Sequence, residues 1–308
     1  MNGKIKMGAA TAWADPYAGQ YREGRVTVPE GISLHYTEWN PAGEKCVVLV
    51  HGLGVQLHTW DPIASLLSRR YRVICPDLRG HGDSDWSRQG YAVQRFAEDL
   101  HALVQTLNAV PYTFVGHSLG SRLGFAYGGM YPDDASAMVL CETAPELPKS
   151  AALYASGVVA GGTESRGFNS IEEASAHFRK LNPDWQPEFY DLHAKYQLRK
   201  NWAGKYVAKA DPDLYWITRG AGLREVPYLW EQAARITRPV LLVWAQQSHF
   251  FDDELISRLR KTIPAPVSVS RPPTGHYTQR EQPRLFADLV ADFIEGMPLP
   301  ASVQRLEP

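Results

Sequence analysis

Short apolar runs recur along the chain at positions 46–50, 73–75, 112–115, 137–141, 240–244 and 267–270. The Cys46–Val50 run is apolar without interruption, which predicts a strand covered on both faces, and the others share its β-branched character. Between them, 59–68, 93–107, 119–131, 252–261 and 283–295 carry apolar residues at helical spacing, the last with Pro283 in its first turn. Residues 26–28 and 33–39 alternate around Pro29-Glu30-Gly31 and predict an antiparallel opening pair. Strands alternating with helices of this length predict an α/β fold with a mostly parallel central sheet and helices on both faces.

One stretch breaks the rhythm. Residues 145–236 read as helical and aromatic, with Trp185, Trp202, Trp216 and Trp230 among many tyrosines. We read it as a helical cap inserted into a core of 25–144 and 237–297, with loose ends at 1–24 and 298–308. Its aromatics suit either the interior of a small subdomain or the lining of an apolar pocket, and Trp185 and Trp202 are the candidates for the lining.

Composition narrows the partners. With 308 residues, 44% apolar and 21% charged, the chain has an ordinary globular make-up. Its 32 basic and 33 acidic residues leave no positive field for nucleic acid. No apolar run approaches membrane-spanning length, and residues 1–7 lead into no signal-peptide core, so a cytoplasmic location and no membrane association are expected. Cys46, Cys75 and Cys141 lie in or beside strand-like runs without C-x-x-C spacing and read as buried thiols. The oligomeric state is open, a homodimer included.

The chemistry centres on Gly116-His117-Ser118-Leu119-Gly120, directly behind a predicted strand. In G-x-S-x-G, a sharp strand-to-helix turn holds a nucleophilic serine in a strained conformation and leaves no room for side chains beside it. Chance supplies this pentapeptide in roughly one chain in ten of this length, so its context must carry the assignment. His51-Gly52-Leu53-Gly54 follows another strand, where a loop can aim the Leu53 N–H at the oxygen of a substrate attacked by Ser118. The Leu119 N–H would be the second oxyanion donor. His276, in Thr274-Gly275-His276-Tyr277 after the last strand, is the candidate base, since open parallel sheets place their sites at strand carboxyl ends.

Four marks together give a resemblance: HGLG at 51–54, DLRGHGDS at 77–84, the pentapeptide at 116–120, and Gly275-His276. The chain resembles the α/β-hydrolase superfamily over nearly its whole length, specifically a serine carboxylesterase and lactonase group. The resemblance implies an architectural role for 77–84. It also implies a third, acidic member of the triad, usually in a G-x-x-D turn after the strand at 240–244. Here that turn reads Ala245-Gln246-Gln247-Ser248. Loss of the carboxylate costs about 10⁴ in turnover, so another acid is required. Glu142, at the end of the 137–141 strand, is the favoured candidate, with Asp252 and Asp253 as alternatives that also suit a helix first turn. Some haloalkane dehalogenases, cofactor-free ring-cleaving dioxygenases and zearalenone lactone hydrolases carry their acid after this earlier strand. A bacterial group of carboxylesterase-like hydrolases pairs that placement with serine in the later turn.

The expected activity is hydrolysis of a hydrophobic carboxylic ester or lactone, aromatic ones included, through an acyl-enzyme on Ser118. A zearalenone-like macrolactone is one option. The alternatives are a cofactor-free dioxygenase acting on an N-heteroaromatic and a non-catalytic ligand-binding member of the fold. No H-E-x-x-H, clustered cysteines or G-x-x-x-x-G-K occurs, so neither metal nor cofactor is expected.

Overall fold

The computed structural model describes residues 15–148, 151, 167–218 and 220–296. Eight strands form one sheet: β1 (Tyr21–Thr27), β2 (Ser33–Trp39), β3 (Cys46–Val50), β4 (Arg72–Pro76), β5 (Tyr112–His117), β6 (Ala135–Cys141), β9 (Val240–Val243) and β10 (Val267–Ser270). Their spatial order is β1-β2-β4-β3-β5-β6-β9-β10. β1 pairs antiparallel with β2, and β2 with β4; every later pairing is parallel. The remaining strands, β7 (Leu198–Lys200) and β8 (Tyr206–Ala208), make a separate antiparallel pair.

The opening strand starts earlier than its sequence suggests. Residues 21–24, expected to be loose, belong to β1, where Tyr21 stands opposite Trp39 and Gly24 opposite Tyr36. This is an edge strand with exposed Arg22 and Glu23, so it lacks the apolar signature of a covered one. Residues 1–14 and 298–308 of the expected loose ends lie outside the described residues.

Side-chain alternation divides the interior into two cores. Val48, Val50, Phe114, Leu140 and Leu242 enter one cluster, with Phe96 of helix α2 (Val93–Thr106) and Leu123 of α3 (Leu119–Met130). Val47, Leu49, Val115, Val139 and Leu241 enter the other, with Ile63 of α1 (Asp61–Leu67) and Phe286 of a helix over Pro283–Ile294. A period of two in the strands thus feeds both faces, as a sheet covered on both sides requires. All three cysteines are buried free thiols. No helix among the described residues is long and apolar enough to cross a membrane.

Between β6 and β9 lie α4 (Ile171–Leu181), α5 (Glu188–Gln197), the β7–β8 pair, α6 (Ala221–Arg224) and α7 (Val226–Ala233). The segment is therefore not purely helical. Leu198 alone of the β7 residues is buried, so no apolar run announces the hairpin. The chain then forms β9, α8 (Asp253–Thr262) and β10, and ends in α9 (Thr278–Glu281) and α10 (Pro283–Ile294).

Candidate active site

Ser118 stands between β5 and α3 with φ 53° and ψ −114°, a left-handed conformation rare for a residue with a side chain. Its glycine neighbours are demanded by close approach. A Cβ on Gly120 would lie 2.3 Å from the Val50 carbonyl oxygen, and one on Gly116 2.5 Å from the Gly120 backbone. The Ser118 N–H donates to the Cys141 carbonyl at 2.9 Å, and the Ser121 hydroxyl binds the carbonyls of Gly116 and Cys141, both at 2.7 Å. The turn is thereby locked to the end of β6.

The 51–54 loop packs directly against this turn. A Cβ on Gly52 would meet the Ser118 Cβ at 3.2 Å. Buried His51 shapes the loop: its Nδ1–H donates to the Gly52 carbonyl at 2.8 Å, while its Nε2 accepts from the Leu78 N–H at 3.0 Å. Burial lowers its pKa, which keeps the ring neutral and able to accept. Leu78 lies in the 77–84 turn, which Asp77 holds through the amides of Leu57 and Asp83 and through His35. Gln197 of α5 donates to the Gly54 carbonyl from above. Leu53 is half-buried on this loop, and Leu119 supplies the first amide of α3, which has no partner within its helix.

The histidine and the acid meet across the sheet end. His276 Nδ1 lies 3.2 Å from Glu142 Oε2. Glu142, 0% exposed and at φ 62°, follows β6 immediately; its N–H donates to the Val243 carbonyl at 3.0 Å. Its Oε1 accepts from the Ala245 N–H at 2.7 Å, and its Oε2 accepts from the Ser248 hydroxyl. Burial pushes the Glu142 carboxyl up to about 8, against the lowering effect of those two bonds and of the Arg271 charge. Burial, and then the Arg280 charge, hold His276 down to about 3. Both directions disfavour charge on the pair at rest. The Phe250 ring stacks on His276 at 4.0 Å between centroids.

The alternative acids are engaged elsewhere. Asp252 caps α8, accepting from the Leu255 N–H at 2.8 Å, and Asp253 is exposed in the first turn. Of the two tryptophans expected at a pocket, Trp185 is 6% exposed and lines a cavity of about 310 Å³ together with His276, Phe250 and Tyr277. Trp202 does not line it: it is 99% exposed in the turn between β7 and β8. Sequence reasoning missed Ser248 and Phe250. Serine in the later turn registered only as a missing acid, although a hydroxyl there is a donor within reach of a carboxylate from β6.

A model of the alpha/beta hydrolase fold matches residues 45–283 of this chain. The chain belongs to the α/β-hydrolase family. This α/β hydrolase is 28% identical over 264 residues to the 3-hydroxybutyrate-oligomer hydrolase of Cupriavidus necator, covering 80% of this chain and 88% of that protein. It is 25% identical over 253 residues to the 2-(acetamidomethylene)succinate hydrolase of Mesorhizobium japonicum, covering 81% and 88%. The crystal structure of E-2-(acetamidomethylene)succinate hydrolase superposes with a TM-score of 0.78 at 25% identity, covering 89% of this chain and 99% of that one. The enol-lactonase from Burkholderia xenovorans LB400 shares the fold, with a TM-score of 0.64 at 22% identity over 88% of this chain and all of the other.

Proposed function

We propose that this α/β hydrolase is a serine esterase or lactonase whose triad is Ser118, His276 and Glu142. The observation that carries the reading is the His276–Glu142 contact at the end of β6, the strand to which the Ser118 turn is locked. His276 takes the Ser118 hydroxyl proton as Oγ attacks the acyl carbon. The N–H groups of Leu53 and Leu119 hold the oxyanion, each worth about 2.7–4 kcal/mol in the transition state. The leaving alkoxide takes the proton from His276, and a water that His276 then deprotonates attacks the acyl-enzyme, releasing the acid and restoring Ser118. Glu142 orients the imidazole and stabilises its charged form.

Residues 145–236 act as the cap of a core built from 25–144 and 237–297. Trp185, Phe250 and Tyr277, which line a cavity beside His276, support a hydrophobic ester or lactone, aromatic ones included. Relatives named for an ester oligomer and for a succinate derivative support hydrolysis in general and leave the macrolactone as one member of the substrate panel. The test is an organophosphonate with a p-nitrophenyl ester assay, followed by a panel of esters and lactones on wild type and Ser118→Ala. Stoichiometric labelling of Ser118 with loss of turnover is expected. Turnover that persists in Ser118→Ala overturns the acyl-enzyme, and oxygen-dependent turnover without labelling points to the dioxygenase instead.

A further inference from the structure

The side-chain contacts of His276 set the orientation of its ring, but they do not fix where its backbone stands. That is settled by two groups outside the triad. Glu281, at the end of α9, accepts the Gly275 N–H on Oε2 at 2.7 Å, and the Tyr277 N–H reaches the same carboxylate. From the opposite side, the His117 Nε2–H donates to the His276 carbonyl at 2.7 Å. A carbonyl only accepts, so His117 is in its Nε2–H tautomer. The amides on either side of His276 and its own carbonyl are thus held by two side chains.

We propose that Glu281 and His117 are positioning residues that clamp the 275–277 backbone and so set the approach of His276 to Ser118. This rests on His276 being the base. Three further observations fit. A Cβ on Gly275 would lie 3.0 Å from Glu281 Oε1, so the glycine keeps the carboxylate seated. His117 immediately precedes Ser118, so the clamp ties the base to the nucleophile's own strand and not to a distant loop. Gln186, between α4 and α5, donates from its N–H to the Arg280 carbonyl at 2.9 Å and from Nε2 to the Glu281 carbonyl at 2.8 Å. The inserted segment therefore braces α9, the element that carries the clamping carboxylate.

The test uses phosphonate labelling of Ser118, which separates the fraction of competent sites (the amplitude) from base-assisted reactivity (the rate constant). In Glu281→Ala the amplitude should stay near one label per chain while the labelling rate constant and kcat fall together by about tenfold or more, with KM within about twofold. Glu281→Gln retains one acceptor oxygen and should fall between Ala and wild type. His117→Ala should behave like Glu281→Ala, and His117→Gln, whose amide can replace the lost donor, should recover part of the rate. Rates within twofold of wild type in both alanine variants, or a loss confined to amplitude, overturn the clamp. His276→Ala run alongside separates the two readings: if it is inactive while the Glu281 and His117 variants are normal, only the clamp fails, and if it remains active, the base assignment falls and the clamp with it.

Discussion

At the scale of single residues, the site turns on one proton. Burial raises Glu142 to about 8 and lowers His276 to about 3, so below pH 8 the pair together holds a proton that the competent form, carboxylate beside neutral imidazole, has given up. Accordingly kcat/KM should climb with pH and level off above about 8, and that limb belongs to the pair. The Ser248 hydroxyl favours the ionised carboxylate, so Ser248→Ala should move the limb to higher pH in the pH–rate profile; an unmoved limb would deny Ser248 that influence. The same shift has a stability consequence of defined sign. A carboxyl raised from 4.5 to about 8 binds more protons folded than unfolded, so its contribution to stability falls as pH rises between those values. Glu142→Gln should lower kcat by about two orders of magnitude or more, while its melting temperature relative to wild type rises from pH 5 to pH 8. Glu142 could be proposed as the acid from the sequence because Ser248 occupies the usual position. Its partnership with that serine was not, because the two are joined only when β6 and β9 pair.

At the scale of elements, the turns around the sheet end are set by space as much as by sequence preference. Gly120→Ala would drive a Cβ into the Val50 carbonyl, a backbone atom that cannot swing aside, and should abolish both phosphonate labelling and cooperative thermal unfolding near the wild-type temperature. Asp252→Ala removes only a helix cap and should cost about 1 kcal/mol in denaturant unfolding while leaving kcat intact. A large loss of kcat there would instead point to Asp252 as the acid. Strands such as Cys46–Val50 were readable because both of their faces are covered, so every residue is apolar. β1 was half hidden because its outer edge faces solvent, and β7–β8 because a hairpin of three-residue strands offers too few positions for alternation to register. Trp202 shows the limit of composition: an aromatic residue in the inserted segment says nothing about which way it points.

At the scale of the whole molecule, the inserted segment is tied to the core beside Ser118. Arg122, one turn into α3, donates to the Pro145 carbonyl at 2.9 Å and to the Gly222 carbonyl, and pairs with Glu225 at 3.4 Å. A single buried guanidinium thus holds both the chain leaving β6 and the chain approaching α7. Arg122→Met should speed limited proteolysis within 145–236 and raise KM more than it lowers kcat. A fall in kcat that matches the rise in KM, with unchanged cleavage, would separate the tie from placement of the inserted segment. The order of the fold was largely legible in the sequence, whereas the contacts of the inserted segment were not, because they join residues up to 181 positions apart. Ser118 and Glu142 precede the exposed turn between β7 and β8, and His276 follows it. A polypeptide divided at that turn yields two pieces, each lacking part of the proposed triad, whose reunion depends on β9 finding β6. Co-expressed halves should regain ester turnover that neither shows alone, which would turn this hydrolase into a split reporter of its own sheet assembly.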